Sequence, residues 1–142
     1  MRTREEFDQT FTTQITLPVQ WGDMDAFGHV NNTLYFRYFE SVRLAYFESL
    51  ELMTHQHLAP ILAETNCRFR RALYYPDNIV VGTNVTEIHE HGFMMEYGIY
   101  SQDQRTVASL GFGRIVLINK ETGAKAAVDE TIKQRIKELA KK

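Results

Sequence analysis

The sequence has few of the residues that cross-link or anchor a chain. Among its 142 residues there is one cysteine, Cys67, so an internal disulfide bond is excluded. The longest purely apolar runs, such as residues 115–118, are far shorter than the roughly 20 residues that a membrane-spanning helix needs. The charged N-terminus is not followed by an apolar segment, so no secretory signal peptide is predicted. These absences favour a cytoplasmic protein without a membrane span.

An excess of charge of one sign is also lacking. Lysine and arginine number 16 and aspartate and glutamate 18, which leaves a formal net charge of −2 and no broad basic field for nucleic acid. Hydrophobic residues at 44% and charged residues at 24% are typical of globular proteins. Prolines number only 3, and no repeat or low-complexity linker interrupts the chain. We therefore expect one folded domain over residues 1–142 and no nucleic-acid partner.

The spacing of apolar residues predicts a strand, a long helix, four further strands and a short helix. A two-residue period over residues 14–21 indicates a half-buried strand, in which Pro18 favours a sheet edge. Helical spacing over residues 33–50 leaves most faces apolar, which is typical of a buried helix, with Asn31 or Asn32 as its cap. Strand patterns then cover residues 63–71, 78–88, 93–102 and 106–119. Gly111 and Gly113 in the last of these suggest a bulge or a close backbone approach.

Short turns between the later strands predict antiparallel neighbours. Asp129 is expected to cap the terminal helix, and Cys67 is expected to face inward from its strand. The segment through His55, His57 and Pro60 is expected to be a loop, and the polar residues 1–10 are expected to pack weakly. One antiparallel sheet of about five strands around the long helix accounts for this order, so the predicted class is α+β.

The densest group of reactive side chains lies between the first strand and the long helix. It reads Trp21-Gly22-Asp23-Met24-Asp25-Ala26-Phe27-Gly28-His29-Val30-Asn31-Asn32. Two carboxylates, an imidazole and two amides thus stand directly before a helix N-terminus, whose unpaired N–H groups carry partial positive charge. A carboxylate beside such donors can attack a polarised carbonyl or activate water. The same residue types also serve as turn and capping residues, and by composition alone that interpretation is the more common one.

This run, with Leu34-Tyr35 and the helical Phe39-Glu40-Ser41-Val42-Arg43, resembles the hotdog-fold acyl-CoA thioesterases of the 4-hydroxybenzoyl-CoA thioesterase-like branch. That branch has a D-x-D-x-x-G motif between its first strand and central helix, and the resemblance covers essentially the whole chain. It implies the hotdog fold and hydrolysis of an acyl-CoA thioester to a free acid and coenzyme A, with no cofactor. It also implies a homodimer or dimer of dimers with the active site at the subunit interface. An acyl-carrier-protein thioesterase, or a hotdog protein that binds acyl thioesters without turnover, are the alternatives.

The resemblance also implies roles for individual residues. Asp25, the second aspartate of the motif, is the implied catalytic carboxylate, acting as general base or as nucleophile. The backbone N–H of Asn32 is the implied donor to the thioester carbonyl, although related members carry Tyr or His at this position. His29 is either an acid–base group or a residue that packs and fixes the loop. Asp23 is expected to order the loop.

Substrate-binding residues are expected on three further segments. Tyr35 on the aromatic helix either lines an acyl pocket or packs in the core. Arg68 and Arg70, which alternation places on one face of their strand with Arg71 opposite, are candidates for the phosphates of coenzyme A. His89 and His91 occupy the turn where hydroxybenzoyl-CoA members of the family carry basic residues. Neither these histidines nor the pair at residues 55 and 57 has the companions of a four-ligand set, so no metal site is expected.

Overall fold

A five-stranded antiparallel sheet with a long helix on one face dominates the computed structural model, which describes residues 1–141. The elements in chain order are α1 (Arg4–Thr10), β1 (Thr13–Pro18), a short 3₁₀ turn (Trp21–Asp23), α2 (Asn32–Ser49), β2 (Leu58–Phe69), β3 (Asn78–His89), β4 (Gly92–Ser101), β5 (Thr106–Asn119) and α3 (Glu130–Leu139). The strand order is β1-β3-β4-β5-β2, and every neighbouring pair is antiparallel. The predicted α+β class and the number of strands are confirmed.

The central helix α2 carries most of the core. Its buried side chains pack against the inward-facing residues of β3, β4 and β5, and the rings of Phe39 and Tyr97 stack with centroids 4.9 Å apart. Burial of each such side chain stabilises the fold by roughly 1.5–3 kcal/mol. Asn31 caps the helix through its Oδ1, which accepts the N–H of Thr33 at 3.0 Å. The helix therefore begins one residue before the predicted range and ends one residue before its end.

The two edge strands differ most from the prediction. β1 ends at Pro18, and Trp21 lies in the turn that follows with 76% of its surface exposed, not in the strand. At the other edge, β2 begins at Leu58, so the expected loop at Pro60 is wrong. Proline is tolerated there because β2 pairs only with β5 and leaves its other edge without a hydrogen-bonding neighbour in residues 1–141.

The N-terminal segment packs firmly, which corrects the expectation of weak packing. Thr3 and Glu6 form a capping box at the start of α1, and Phe7 is 0% exposed. Phe7 and Phe11 lie on the sheet face opposite α2, in a cluster with Val80, Tyr100 and Val107. The two rings have space to pack because β3 and β4 carry glycines at this place. A Cβ on Gly82 would lie 2.5 Å from Phe11 Cβ, and a Cβ on Gly98 would lie 2.4 Å from Phe11 Cε2. Helix α1 thus closes the outer face of the sheet.

Close approaches on β5 follow the prediction from its glycines. A Cβ on Gly111 would lie 2.3 Å from the carbonyl oxygen of Asn66 on the neighbouring strand. Cys67 packs against the core as expected, with its Sγ 3.0 Å from Ser109 Oγ, and burial raises the pKa of its thiol. Asp129 caps α3 as predicted, its Oδ1 accepting the N–H of Ile132 at 2.8 Å. Within residues 1–141, no helix is both long and apolar enough to cross a membrane.

Candidate active site

The loop between β1 and α2 is closed by its own backbone. The N–H of Asp25 donates to the carbonyl of His29 at 2.6 Å, and the N–H of Asn31 donates to the carbonyl of Asp23 at 2.9 Å. Gly28 takes a φ of +82°, a value that glycine adopts without the steric cost of a side chain. These bonds make the Asx-rich segment a compact hairpin-like turn that leads directly into the helix.

The side chain of Asp25 is held by one of its two oxygens. Oδ1 accepts the N–H groups of Phe27 at 2.8 Å and His29 at 3.2 Å. No donor among residues 1–141 bonds to Oδ2, so one carboxylate oxygen stays available to a ligand. Asp25 lines an open cleft of about 500 Å³ together with Trp21, Gly22, Met24, Ala26, Gly28 and Tyr75. The carboxylate is therefore fixed in orientation and accessible at the same time.

Asp23, the first aspartate of the motif, is committed to structural contacts. Its Oδ2 accepts the N–H of Gln20 at 3.0 Å and the hydroxyl of Tyr38 at 2.8 Å. Burial and this hydrogen bond both raise the pKa of Tyr38, so its hydroxyl remains a donor at neutral pH. These contacts tie the loop to α2 and agree with the loop-ordering role expected for Asp23.

The start of α2 offers an unpaired backbone donor. Asn32 is the first residue of the helix and is exposed, and within residues 1–141 its N–H has no acceptor. The helix runs for 18 residues, so its N-terminus carries the partial positive charge of a long helix. Asn32 directly follows the cap residue that is bonded to the loop of Asp23 and Asp25. The helix thus offers a donor at the end of the loop that carries Asp25, although Asn32 is not among the residues that line the cleft of Asp25.

His29 and Tyr35 are held in place by packing. The ring of His29 meets Tyr74 edge-on, with centroids 5.2 Å apart. Tyr35 is 1% exposed, and its hydroxyl donates to the carbonyl of Arg71 at 3.4 Å and accepts the N–H of Leu73 at 3.1 Å. Tyr35 thus serves packing in this structure, and contact with an acyl group would require it to move.

The predicted arginine pair is separated. Arg68 lines a cleft of about 410 Å³ between β2 and β5. Arg70 lines a different cleft and donates from Nη1 to the carbonyl of Met1 at 2.8 Å. Arg71 shares the cleft of Arg70, so the expectation that these two lie on opposite faces is wrong. The cause is the end of β2, where both of their N–H groups donate to the one carbonyl of Ala108 at 3.0 Å, which breaks the alternation of the strand.

The histidines at the turn between β3 and β4 lie together, apart from the Asp25 cleft. His89 and His91 line a small cleft of about 200 Å³ with Arg114 and Lys125. His89 Nε2 lies 3.2 Å from a carboxylate oxygen of Glu87, and His91 Nδ1 lies 3.2 Å from the carbonyl of Ala126. Across residues 1–141, no group of three or more His, Cys, Asp or Glu side chains is arranged to hold a metal ion.

Sequence reasoning did not assign Trp21 or Tyr75 to the site, although both line the cleft beside Asp25. Trp21 carried a signal, because it opens the motif-bearing segment. The signal for Tyr75 was weaker, because Tyr75 is a turn residue far from Asp25 in the sequence and only the fold brings the two together.

Comparison with known proteins adds a family and a fold. A sequence model of the thioesterase-like superfamily matches residues 19–136. The chain is 20% identical over 131 residues to the long-chain acyl-CoA thioesterase FadM of Escherichia coli, with 90% of this chain and 99% of FadM covered. Among solved structures, a thioesterase from Thermus thermophilus complexed with coenzyme A and zinc is 26% identical, with a TM-score of 0.80 over 93% of this chain and 97% of the other. The PA5185 protein of Pseudomonas aeruginosa, 20% identical, shares the fold with a TM-score of 0.84 over 98% of this chain and 96% of its own.

Proposed function

Because the chain belongs to the thioesterase-like superfamily, we propose that it hydrolyses an acyl-CoA thioester to a free acid and coenzyme A. The observation that carries this proposal is the carboxylate of Asp25, which lies in a cleft of about 500 Å³, is held through Oδ1 and has no donor at Oδ2 among residues 1–141. A protein that only binds an acyl thioester has no need of a free carboxylate oxygen in such a cleft.

Asp25 acts on the thioester through this free oxygen. As a general base, it removes a proton from water while the water oxygen attacks the carbonyl carbon, and the C–S bond then breaks to release the thiol of coenzyme A. As a nucleophile, it attacks the carbonyl carbon itself, expels the thiolate and forms a mixed anhydride that water hydrolyses. Both routes use Oδ2 and both need the two backbone donors that hold Oδ1.

The negative charge that develops on the carbonyl oxygen is stabilised by the N–H of Asn32. This donor is unpaired within residues 1–141 and stands at the positive end of an 18-residue helix. His29 serves as a positioning residue, because its N–H holds Asp25 Oδ1 at 3.2 Å and its ring packs on Tyr74. The acyl group lies in the cleft, against the exposed rings of Trp21 and Tyr75.

The open edge of β2 supports a homodimer or a dimer of dimers. This strand is 12 residues long, and it exposes apolar side chains that include Ile61 and Leu62. An exposed apolar edge of this length is a template for pairing with a second strand. Pairing of two copies along β2 extends the sheet and covers these side chains.

Substitution of Asp25 tests the proposal. Asp25→Asn keeps the size of the side chain and a carbonyl oxygen for the two backbone donors, but removes the charge and the basicity. We expect thioester hydrolysis to fall at least roughly 100-fold, because a positioned base contributes about 10²–10⁴-fold. The matched control, Asp23→Asn, should lose less, because both contacts of Asp23 Oδ2 are structural.

Free thiol release from a panel of acyl-CoA substrates, with the same acyl groups on acyl carrier protein, is the measurement. Near wild-type turnover by Asp25→Asn refutes the assigned mechanism. A wild-type protein that hydrolyses no acyl thioester refutes the proposed function. Faster turnover of the carrier-protein substrates identifies acyl carrier protein, and not coenzyme A, as the carrier of the acyl group.

A further inference from the structure

Three arginines meet at a small cleft outside the site described above. Arg2, Arg70 and Arg71 line a cleft of about 210 Å³ together with Thr106 and Val107 at the start of β5. Arg2 comes from the N-terminal segment, and the other two come from the end of β2. The fold therefore brings Arg2 together with two consecutive arginines that lie almost 70 residues further along the chain.

Two features of the fold create this cleft. The packing of Phe7 and Phe11 against the outer face of the sheet holds α1, and with it Arg2, beside β5. At the end of β2, the N–H groups of Arg70 and Arg71 both donate to the carbonyl of Ala108 at 3.0 Å, so that two consecutive residues line the same cleft. Without this irregularity, the alternation of an extended strand would place them on opposite faces.

The three arginines of this cleft form no ion pair with the acidic side chains of residues 1–141. Several other arginines of the chain pair with carboxylates: Arg4 with Asp8, Arg114 with Glu64 and Arg135 with Glu51. None of the ion pairs among residues 1–141 includes an arginine of the cleft.

The carboxylate of Glu6 lies close to the segment of Arg2 but bonds to backbone N–H groups and not to a guanidinium group. Glu6 accepts the backbone N–H of Arg2 at 3.2 Å and that of Thr3 at 3.1 Å, and these bonds lower its pKa. Among residues 1–141, the one hydrogen bond made by the three guanidinium groups goes from Arg70 to the carbonyl of Met1. The positive charges of the three arginines that line the cleft attract an anion. Planar guanidinium groups match the oxygens of a phosphate in geometry as well as in charge.

We propose that this cleft is a phosphate-binding site that takes the phosphate groups of the nucleotide part of coenzyme A, an inference that rests on the proposed function. The link is the segment that follows Arg71. Leu73 accepts the N–H of Val30 at 2.9 Å, and Tyr75 lines the cleft of Asp25. Four residue steps separate Arg71 from Tyr75, a span of at most about 14 Å between their Cα atoms. The flexible pantetheine arm of coenzyme A can bridge that distance from the thioester to the phosphates.

The test compares two substrates that carry the same acyl group, one on coenzyme A and one on pantetheine, which lacks the nucleotide. In the triple variant Arg2→Gln, Arg70→Gln, Arg71→Gln, we expect KM for acyl-CoA to rise at least tenfold, with kcat within twofold of wild type. Neither constant should change for acyl-pantetheine. Lys137→Gln, a surface cation of α3, is the matched control and should change neither substrate. A second control addresses the other cleft with cationic side chains, which Arg114 lines together with His89 and His91. Arg114→Gln should leave KM for acyl-CoA within twofold of wild type.

An unchanged KM for acyl-CoA in the triple variant overturns the proposal. A tenfold rise in KM for acyl-CoA in Arg114→Gln, with no rise in the triple variant, overturns it as well. An equal rise for acyl-pantetheine overturns it too, because the effect is then structural and not due to the nucleotide. Calorimetry with adenosine 3′,5′-bisphosphate separates this proposal from the proposed function. If wild type hydrolyses no thioester but binds this nucleotide and the triple variant does not, the phosphate site stands and the thioesterase proposal fails. If wild type does not bind the nucleotide, the phosphate site fails whatever the activity.

Discussion

The start of α2 permits the proposed carbonyl donor to be removed without removal of the helix. Asn32 is the first helical residue, and proline is favoured at that position because the N–H it lacks has no partner inside the helix. The preceding residue, Asn31, has φ −59° and ψ 135°, within the extended region that a residue before proline adopts. We therefore expect Asn32→Pro to fold, with Asn31 still capping the helix.

The expected loss follows from the single donor that is deleted. A preorganised N–H at a developing oxyanion contributes roughly 10²–10³-fold to kcat, or about 2.7–4 kcal/mol. Asn32→Pro should therefore lower kcat by roughly 100- to 1,000-fold. Asn32→Ala keeps the backbone N–H, and the side chain of Asn32 makes no hydrogen bond within residues 1–141, so its kcat should stay within about threefold of wild type.

Steady-state kinetics with the best acyl-CoA substrate, beside circular dichroism and thermal unfolding, measures both effects. The two variants should melt within a few degrees of wild type, because the cap is intact in each. A folded Asn32→Pro protein with wild-type kcat refutes the reasoning. Equal losses in both folded variants refute it differently, since they assign the role to the side chain and not to the N–H.

Two further predictions concern packing and assembly. Phe7→Ala should lower the free energy of unfolding by about 3–5 kcal/mol in urea titrations, because it empties a fully buried site on the outer sheet face. The control Phe27→Ala, at a residue that is 84% exposed, should have little effect on the free energy of unfolding. Similar stabilities for the two variants contradict the packing of α1. Wild type should sediment as a dimer or tetramer at micromolar concentration, and Ile61→Lys, at 43% exposure on the β2 edge, should shift it towards monomer while the control Met53→Lys does not. A monomeric wild-type protein contradicts the proposed pairing of two copies along β2.

The elements predicted with most success are those whose burial is periodic. Residues 33–50 were expected to form the buried helix and α2 spans Asn32–Ser49, while β5 spans the predicted residues 106–119. In both elements, a side chain contacts the core according to its position along one regular element, so the spacing of apolar residues in the sequence shows the element. Edge strands have a weaker spacing of apolar residues. β2 is largely exposed on both faces over its middle, so alternation could not reveal that it begins at Leu58.

The packing of α1 could not be predicted because half of its signal lies elsewhere in the chain. Phe7 and Phe11 are four residues apart, a spacing that favours one helix face, but they stand among charged residues. What makes them a buried pair is the space above Gly82 and Gly98, more than 70 residues away. The cleft of Arg2, Arg70 and Arg71 depends on the same packing, so sequence reasoning placed Arg70 with Arg68 and had no means to include Arg2.

The loop of Asp25 was predictable because its motif is local, but the bonds that two tyrosines of α2 make around it could not be predicted from that motif. Tyr38 donates to Asp23 at 2.8 Å, and Tyr35 bonds the carbonyl of Arg71 and the N–H of Leu73. Burial raises the pKa of both hydroxyls, so both remain protonated donors over the neutral range. One end of the central helix thereby holds the loop of Asp25 through Tyr38 and the segment at residues 71–73 through Tyr35. Phenylalanine at either position would pack in the core but would not make these bonds, so the loop and the segment at residues 71–73 would each lose a link to α2.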